Sequence, residues 1–354
     1  MKKYIFAGDW TIGKMAGAHR VAHEILCALD DYLSENPRKI NIQLLIPENS
    51  KWKHSFSNIS IVRKGKISSK AEKIFWQQWV FPSYVKKNKG TGIDLALALP
   101  LWGCDVCAIY DCILETYPEG YKDHRLFRKF YMLRAKRTAK IKSRKIITDS
   151  ETAKKEIQKY YNVGDDRITV IGAGWEHMKK IEKDEKIFDA LPQIKRKEYF
   201  FALGSKYKHK NFRWILKTAE KNPRYQFVIS GEDSYSDEIK VLGANKPDNV
   251  FYTGYITDEQ IKALMSECKA FIQPSLYEGF GIPPLEALSV GAKIIVSNAS
   301  CLPEIYKDTA YYIDPLRYDY NLDMLLKEKV SEPEDVLDMY TWKNAAEKLM
   351  KQVL

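Results

Sequence analysis

Glu278 and Glu286 bracket a short glycine loop, Gly279-Phe280-Gly281-Ile282. Glycine lets backbone approach a ligand closely. A carboxylate beside a phosphate would be repelled, so this pair suits hydroxyl donors, which sugars and riboses supply. Glu286 is also an ordinary first-turn acid of the kind a helix dipole favours. Pro283-Pro284 falls where a helix can begin, and Gly291 is placed to stop it. Ahead of the loop, the apolar run 270–273 ends at Pro274-Ser275 and reads as a buried strand, and 293–296 reads as the next one. The loop therefore lies at the carboxyl end of a strand and feeds a helix N-terminus, where ligands bind in open α/β sheets.

Elements of the same kind run along the whole chain. Strands are expected at 3–8, 40–47, 59–63, 94–99, 106–111, 145–149 and 168–172, then at 199–203, 225–230, 249–253, 270–273, 293–296 and 311–314. Helical segments separate most of them, as in parallel sheets covered on both faces. The charged stretch 179–198 lacks clear periodicity and marks the expected domain boundary. Strand 3–8 leads through Gly13 and Gly17 into an amphipathic helix, without a G-x-G-x-x-G fingerprint, so no dinucleotide site is indicated.

The chain has 354 residues, enough for two domains, with 45% hydrophobic and 29% charged residues, an ordinary globular balance. No apolar run approaches the roughly 20 residues of a membrane span. Asp9 cuts the N-terminal apolar run too short for a signal peptide. Six cysteines do not make a disulfide framework, and a reducing cytoplasm is expected. The Cys104-x-x-Cys107 pair, with Cys112 after it, reads as packed thiols, because it leads into a strand and has no fourth metal ligand. His19 and His23 are spaced to share a helix face, but no third ligand stands near them, so no metal site is expected.

A net charge of +11 asks for an acidic partner: a nucleotide-sugar, an anionic lipid surface or nucleic acid. Two stretches are basic and aromatic. Residues 73–89, with Phe75, Trp76, Trp79 and Phe81, read as mostly core. Residues 122–145 read either as a solvated basic helix or as an attachment to an anionic membrane surface.

The run PSLYEGFGIPPLEALSVG, from Pro274 to Gly291, resembles the donor-site signature of the retaining glycosyltransferases of family 4 (glycosyl transferases group 1), with its Glu-x7-Glu pattern. Similarity extends over nearly the whole chain. GSKYKHKN, from Gly204 to Asn211, is similar to the loop that cradles the donor pyrophosphate, with Ser205 where many relatives have Arg. IYDCILETYP, from Ile109 to Pro118, is similar to a segment in which the family often has His where this chain has Tyr110, followed by Asp111. NVFYTGYITDEQI, from Asn249 to Ile261, and LPEI, from Leu302 to Ile305, match further family segments.

The resemblance implies an α/β GT-B fold, two Rossmann-like domains with parallel sheets facing an interdomain cleft. Residues 1–180 would bind the acceptor and 181–335 the nucleotide-sugar, with 336–354 as a closing helix returning to the first domain. It further implies a retaining hexosyltransferase that takes a UDP- or GDP-sugar and acts on a glycan or lipid-linked saccharide in surface polysaccharide synthesis. Lys210 and Glu278 would be catalytic: Lys210 at the leaving diphosphate, Glu278 on the sugar hydroxyls. Gly17, Gly204, Ser205, Gly279, Phe280, Gly281, Ile282 and Glu286 would complete the donor site, Glu286 on the ribose, and Tyr110 and Asp111 would lie on the acceptor side. No D-x-D occurs in the sequence, in keeping with transfer that needs no metal and no cofactor. The resulting expectation is a cytoplasmic protein, peripheral at the inner membrane face if residues 122–145 bind lipid. Three rivals stand beside it: a nucleotide-sugar epimerase, a non-catalytic nucleotide-sugar-binding homologue, and a nucleic-acid-binding module. No recognised nucleic-acid motif supports the last, and no nucleic-acid partner is expected.

Overall fold

The computed structural model describes residues 2–13, 17–204, 207–231 and 247–353; for residues 122–125 and 127 it describes the backbone only. The chain divides into two compact units. The first comprises Met1–Thr116, Tyr121–Ala173 and Trp342–Leu354, the second Tyr117–Gly120 and Gly174–Thr341.

Among the described residues, the first unit holds a seven-stranded, all-parallel sheet in the order β3-β2-β1-β4-β5-β6-β7. Its strands are β1 Lys2–Ala7, β2 Ile40–Ile46, β3 Ile59–Arg63, β4 Thr91–Asp94, β5 Val106–Ala108, β6 Lys145–Thr148 and β7 Ile168–Val170. Ile5, Leu45, Cys107 and Ile146 are fully buried, because helices cover both faces of a parallel sheet. The helix Ala18–Glu35 packs against the helix Trp342–Gln352, whose Trp342, Ala345, Ala346, Leu349 and Met350 are buried. The last segment of the chain thus completes the first unit's core.

Two readings of this unit need correction. The strand expected at 94–99 ends at Asp94. Beyond it the Asp94 carboxylate accepts the backbone N–H groups of Ala96 (3.0 Å) and Leu99 (2.6 Å), and Leu97 and Leu99 take positive φ. A buried apolar turn there imitates a strand in sequence. The aromatic stretch 73–89 is only half core: Trp76 and Phe81 are buried and stacked 6.1 Å apart, but Phe75 and Trp79 are more than half exposed. A π-turn at Trp76–Val80 inserts between the helices Lys70–Phe75 and Phe81–Lys87. It breaks the 3.6-residue period from which a single buried face would be read.

The second unit holds, among the described residues, a six-stranded parallel sheet in the order β10-β9-β8-β11-β12-β13. Its strands are β8 Tyr199–Ala202, β9 Gln226–Ile229, β10 Val250–Tyr252, β11 Ala270–Gln273, β12 Ile294–Ser297 and β13 Tyr311–Ile313. Phe200, Phe227, Ile272 and Ile295 join Trp214 of the helix Phe212–Lys221 in its core. The strand order reverses between β8 and β11, which lie side by side. In such sheets the crevice for a ligand opens outside the carboxyl ends of the two strands at the reversal.

Candidate donor site

The loops that leave β8 and β11 meet at that reversal. After β8 the chain passes Leu203 and Gly204, whose N–H donates to Ser230 Oγ (3.1 Å), and later makes one tight turn, Lys208–Lys210. Asn211 follows in the left-handed region, φ 56°. Its buried side-chain amide donates to the carbonyls of Pro274 (2.9 Å) and Pro315 (2.8 Å), and the His209 carbonyl accepts the Leu276 N–H (2.7 Å). Asparagine is among the few residues that adopt this conformation readily and still satisfy buried carbonyls. These bonds fix Lys210 against the loop after β11.

Lys210 Nζ donates to both carboxylate oxygens of Glu278, at 2.8 and 2.9 Å. Glu278 Oε1 also accepts from Ser275 Oγ (2.5 Å) and Gln273 Nε2 (3.1 Å). Its own carbonyl accepts from Ser300 Oγ (2.6 Å). The Glu278 side chain is 9% exposed and that of Lys210 25%, so the lysine is the member of the pair that faces solvent. Burial, reinforced by the Lys210 charge, pushes the neighbouring His209 down to about 4, which keeps that imidazole neutral.

Gly281, φ 86°, turns the chain into the helix Ile282–Ser289. A Cβ there would stand 2.6 Å from Leu302 Cδ2, and the Tyr306 hydroxyl donates to the Gly281 carbonyl. Phe280 is buried, its ring edge-on to Tyr340 at 5.2 Å, so it holds the loop in place from behind. Glu286 falls in the helix's second turn, one residue past the first turn expected of it, and its Oε1 lies 2.8 Å from His177 Nε2, with both side chains buried. A cavity of about 170 Å³ lies at this end of the sheet, lined by Gly204, Lys210, Gln273, Ser275 and Pro283 among others. A larger one, about 420 Å³, is lined by Lys269 and Lys293. It sits at the amino ends of β11 and β12, the end of a parallel sheet away from the ligand crevice.

The structure therefore brings together Gly204, Lys210, Glu278, Gly281, Ile282 and Glu286 within one unit. Ser205 lies outside the described residues. Gly17, Tyr110 and Asp111 belong to the first unit. Gly17, φ 52°, precedes the helix Ala18–Glu35. Tyr110 is buried, its hydroxyl donates to the Leu95 carbonyl (2.8 Å), and burial raises its pKa well above the usual tyrosine range. It supplies packing, not a proton. Asp111 Oδ1 accepts the Ile113 N–H (3.1 Å).

Sequence reasoning gave no role to three groups. His177 lies 109 residues from its partner Glu286. Ser230, at the end of β9, reaches Gly204. Asp9 begins the short turn just beyond β1, and Asp94 ends β4, the two strands at which the first sheet's order reverses. Asp9 Oδ2 accepts from Gln77 Nε2 (2.8 Å), and Asp94 is pushed up to about 6 by burial and then by the Asp9 charge. Arg134 and Arg144, counted in the basic stretch, are buried and donate to the carbonyls of Leu99 and Pro100.

Residues 183–325 match the family described as glycosyl transferases group 1. The chain is 28% identical over 221 residues to the O-antigen chain mannosyltransferase RfbU of Salmonella typhimurium, a match taking in 61% of this chain and 58% of that protein. It is 27% identical over 225 residues to O-antigen chain mannosyltransferase B of Escherichia coli, covering 59% and 57%. It thus spans somewhat over half the length of these curated relatives. Among solved structures it is similar to WaaG, a glycosyltransferase involved in lipopolysaccharide biosynthesis, at TM-score 0.62 and 16% identity, over 99% of this chain and 96% of that one. HepE of Anabaena in complex with UDP and glucose superposes with TM-score 0.65 at 14% identity, over 100% and 99%. At such identities the structural likeness speaks to the fold alone. Residues 183–325 thus match the glycosyl transferases group 1, and the chain's two parallel-sheet units are those of the GT-B fold.

Proposed function

We propose that this protein is a retaining glycosyltransferase that moves a hexose from a nucleoside-diphosphate sugar to a glycan or lipid-linked saccharide during surface polysaccharide synthesis. The observation that supports it most is the Lys210–Glu278 pair, held at the carboxyl ends of β8 and β11 beside a helix N-terminus. Kinship with O-antigen mannosyltransferases makes mannose the first sugar to test.

In this reading charge builds on the departing diphosphate as the sugar becomes oxocarbenium-like. Lys210 and the backbone amides of Gly281 and Ile282 meet that charge in place of a bound cation. Glu278 accepts from sugar hydroxyls, and Glu286, oriented by His177, accepts from the ribose. Attack on the face the diphosphate leaves, with a donor phosphate oxygen taking the acceptor's proton, needs no side-chain base. Product NMR should show the anomeric configuration of the donor; the opposite anomer would overturn the retaining assignment. A donor consumed without acceptor to give a free epimer would favour the epimerase.

A thermal-shift titration with UDP, GDP, ADP, dTDP and CMP tests the donor site. A ligand held only by the folded state at 100 times its Kd adds about 2.7 kcal/mol. One nucleotide should stand out, and Glu286→Ala and Lys210→Ala should abolish its effect. No shift with any of them would sink the reading.

A second feature supports work at a membrane surface. The helix Arg125–Lys140 exposes Leu126, Phe130 and Leu133 beside Lys129, Lys136 and Arg137. Apolar anchors with a basic fringe fit an anionic lipid interface, each basic residue adding about 1 kcal/mol. Among the described residues no helix is long and apolar enough to cross a membrane. Co-sedimentation with phosphatidylglycerol vesicles should fall in Leu126→Ser/Phe130→Ser; equal binding by the variant would reject the surface.

A further inference from the structure

We infer that the first unit carries a zinc site built from His23, Cys27 and His54. His23 and Cys27 lie one turn apart on the helix Ala18–Glu35, and His54 comes from the segment between β2 and β3. The ligand atoms of the three residues all lie within 4.8 Å of one another. Cys27 Sγ stands 3.5 Å from His23 Nε2 and 3.6 Å from His54 Nε2. Zinc bonds of about 2.3 Å to sulfur and 2.0–2.1 Å to nitrogen, opened to a tetrahedral angle, separate the two atoms by about 3.6 Å. The trio is therefore spaced for the ion without rearrangement of the two sulfur–nitrogen edges. His19, which the helical spacing had paired with His23, is not part of it.

The surroundings fit a metal centre. Both imidazoles face the sulfur through Nε2. Glu24 Oε1 lies 3.2 Å from His23 Nδ1, the carboxylate behind a ligating histidine that fixes its tautomer and raises its basicity. Trp52 packs against His23 and His54 at 5.8 and 5.4 Å, and Phe56 closes on His54 at 4.7 Å. Trp52, His54 and Phe56 alternate along the irregular segment after β2, and their rings cluster, with Trp52 and Phe56 5.8 Å apart. The Asp30 carboxylate anchors the end of that segment by accepting the N–H groups of Ser57 (2.9 Å) and Asn58 (2.6 Å). His54 is exposed, which gives the ion an entry path, and a water or an outside ligand completes the tetrahedron. On binding, the Cys27 S–H bond breaks, a Zn–S bond forms and the proton leaves to solvent. The ion pins the β2–β3 segment to the helix that Gly17 precedes. It is a fixing metal, separate from the transfer chemistry assigned to the second unit.

The test uses the full chain without a histidine tag, loaded with zinc, dialysed against metal-free buffer and assayed by mass spectrometry of the metal. Wild type should retain one zinc per chain, as a three-ligand site does. Cys27→Ser and His54→Ala should retain none, His19→Ala should match wild type, and Glu24→Ala should bind about 10–100-fold more weakly. With cobalt(II) in place of zinc, a thiolate-to-metal charge-transfer band should appear in wild type and vanish in Cys27→Ser. His54 is exposed, so His54→Ala leaves the core untouched. Zinc retained equally by that variant, or no stoichiometric zinc in wild type, would overturn the site and leave a thiol hydrogen-bonded between two imidazoles. Nucleotide binding should be the same with and without the ion, which keeps this outcome distinct from that of the donor-site experiment.

Discussion

Neutralising Lys210 and Glu278 one at a time and together separates what the pair does for the fold from what it does for the reaction. In Lys210→Met, Glu278 keeps its Ser275 and Gln273 donors on Oε1, but Oε2 loses Lys210. Removing one partner of a buried ion pair costs about 3–5 kcal/mol. Glu278 is nearly buried, but Lys210 is a quarter exposed and two donors remain. A cost at or just below that range, about 2–3 kcal/mol, is therefore expected. Glu278→Gln strands a lysine that can turn toward water and should cost about 1 kcal/mol. The double variant leaves no stranded charge and should return to within about 1 kcal/mol of wild type, a coupling of roughly 2–4 kcal/mol. Activity should behave otherwise: every variant lacking Lys210 should lose about 10²–10³-fold in kcat/KM, the size of one lost charge-stabilising donor, with no rescue in the double variant. Urea unfolding reads the first quantity and release of nucleoside diphosphate the second. Strictly additive stabilities would refute the coupled pair, and activity regained in the double variant would show that Lys210 is scaffold alone.

The neutral, buried His209 gives a pH signature. Its folded pKa of about 4 lies below the unfolded value of about 6.5, so the unfolded chain binds the extra proton. Stability should be lost as pH falls from about 6.5 to 4, by roughly 3 kcal/mol, and His209→Gln should remove that loss. Asp94, raised to about 6, acts oppositely over much of the same range. The difference between wild type and variant cancels its contribution; identical curves would refute the assignment. Gly281→Ala places a Cβ at positive φ and against Leu302, so about 1–2 kcal/mol of stability should disappear in urea unfolding, and nucleotide affinity with it. A loss no larger than an exposed Gly→Ala change would mean that the turn is not strained. Trp342→Ala should cost about 3–5 kcal/mol, seen as earlier melting of the first unit, because the side chain is almost wholly buried there. Unchanged melting would show that the terminal helix is dispensable.

Much of this was readable before any coordinates. Strands of the second unit fall within a residue or so of their expected ends because they are short, apolar on both faces and bounded by Gly, Pro or Asn. The glycine loop, Glu278 and Glu286 could be read from one contiguous stretch. What stayed hidden depends on contacts distant in sequence. His177 meets Glu286 only after the sheet is formed, and His54 meets Cys27 across 27 residues, where no spacing rule for helices or metal motifs applies. The apolar turn after Asp94 misleads for the opposite reason: burial alone does not distinguish a strand from a turn held by one carboxylate.

That the first unit takes its last helix from the far end of the chain has a consequence for how the protein is made. On a ribosome adding about 5–20 residues per second, the stretch from Gly174 to Thr341 takes roughly ten to thirty seconds to emerge. Throughout that interval the helix Ala18–Glu35 waits without its partner, its apolar stripe open to water or to a chaperone. The nascent first unit is therefore the vulnerable one, although it is synthesised first. The intervening unit is contiguous but for Tyr117–Gly120 and can close first, making the order of completion the reverse of the order of synthesis.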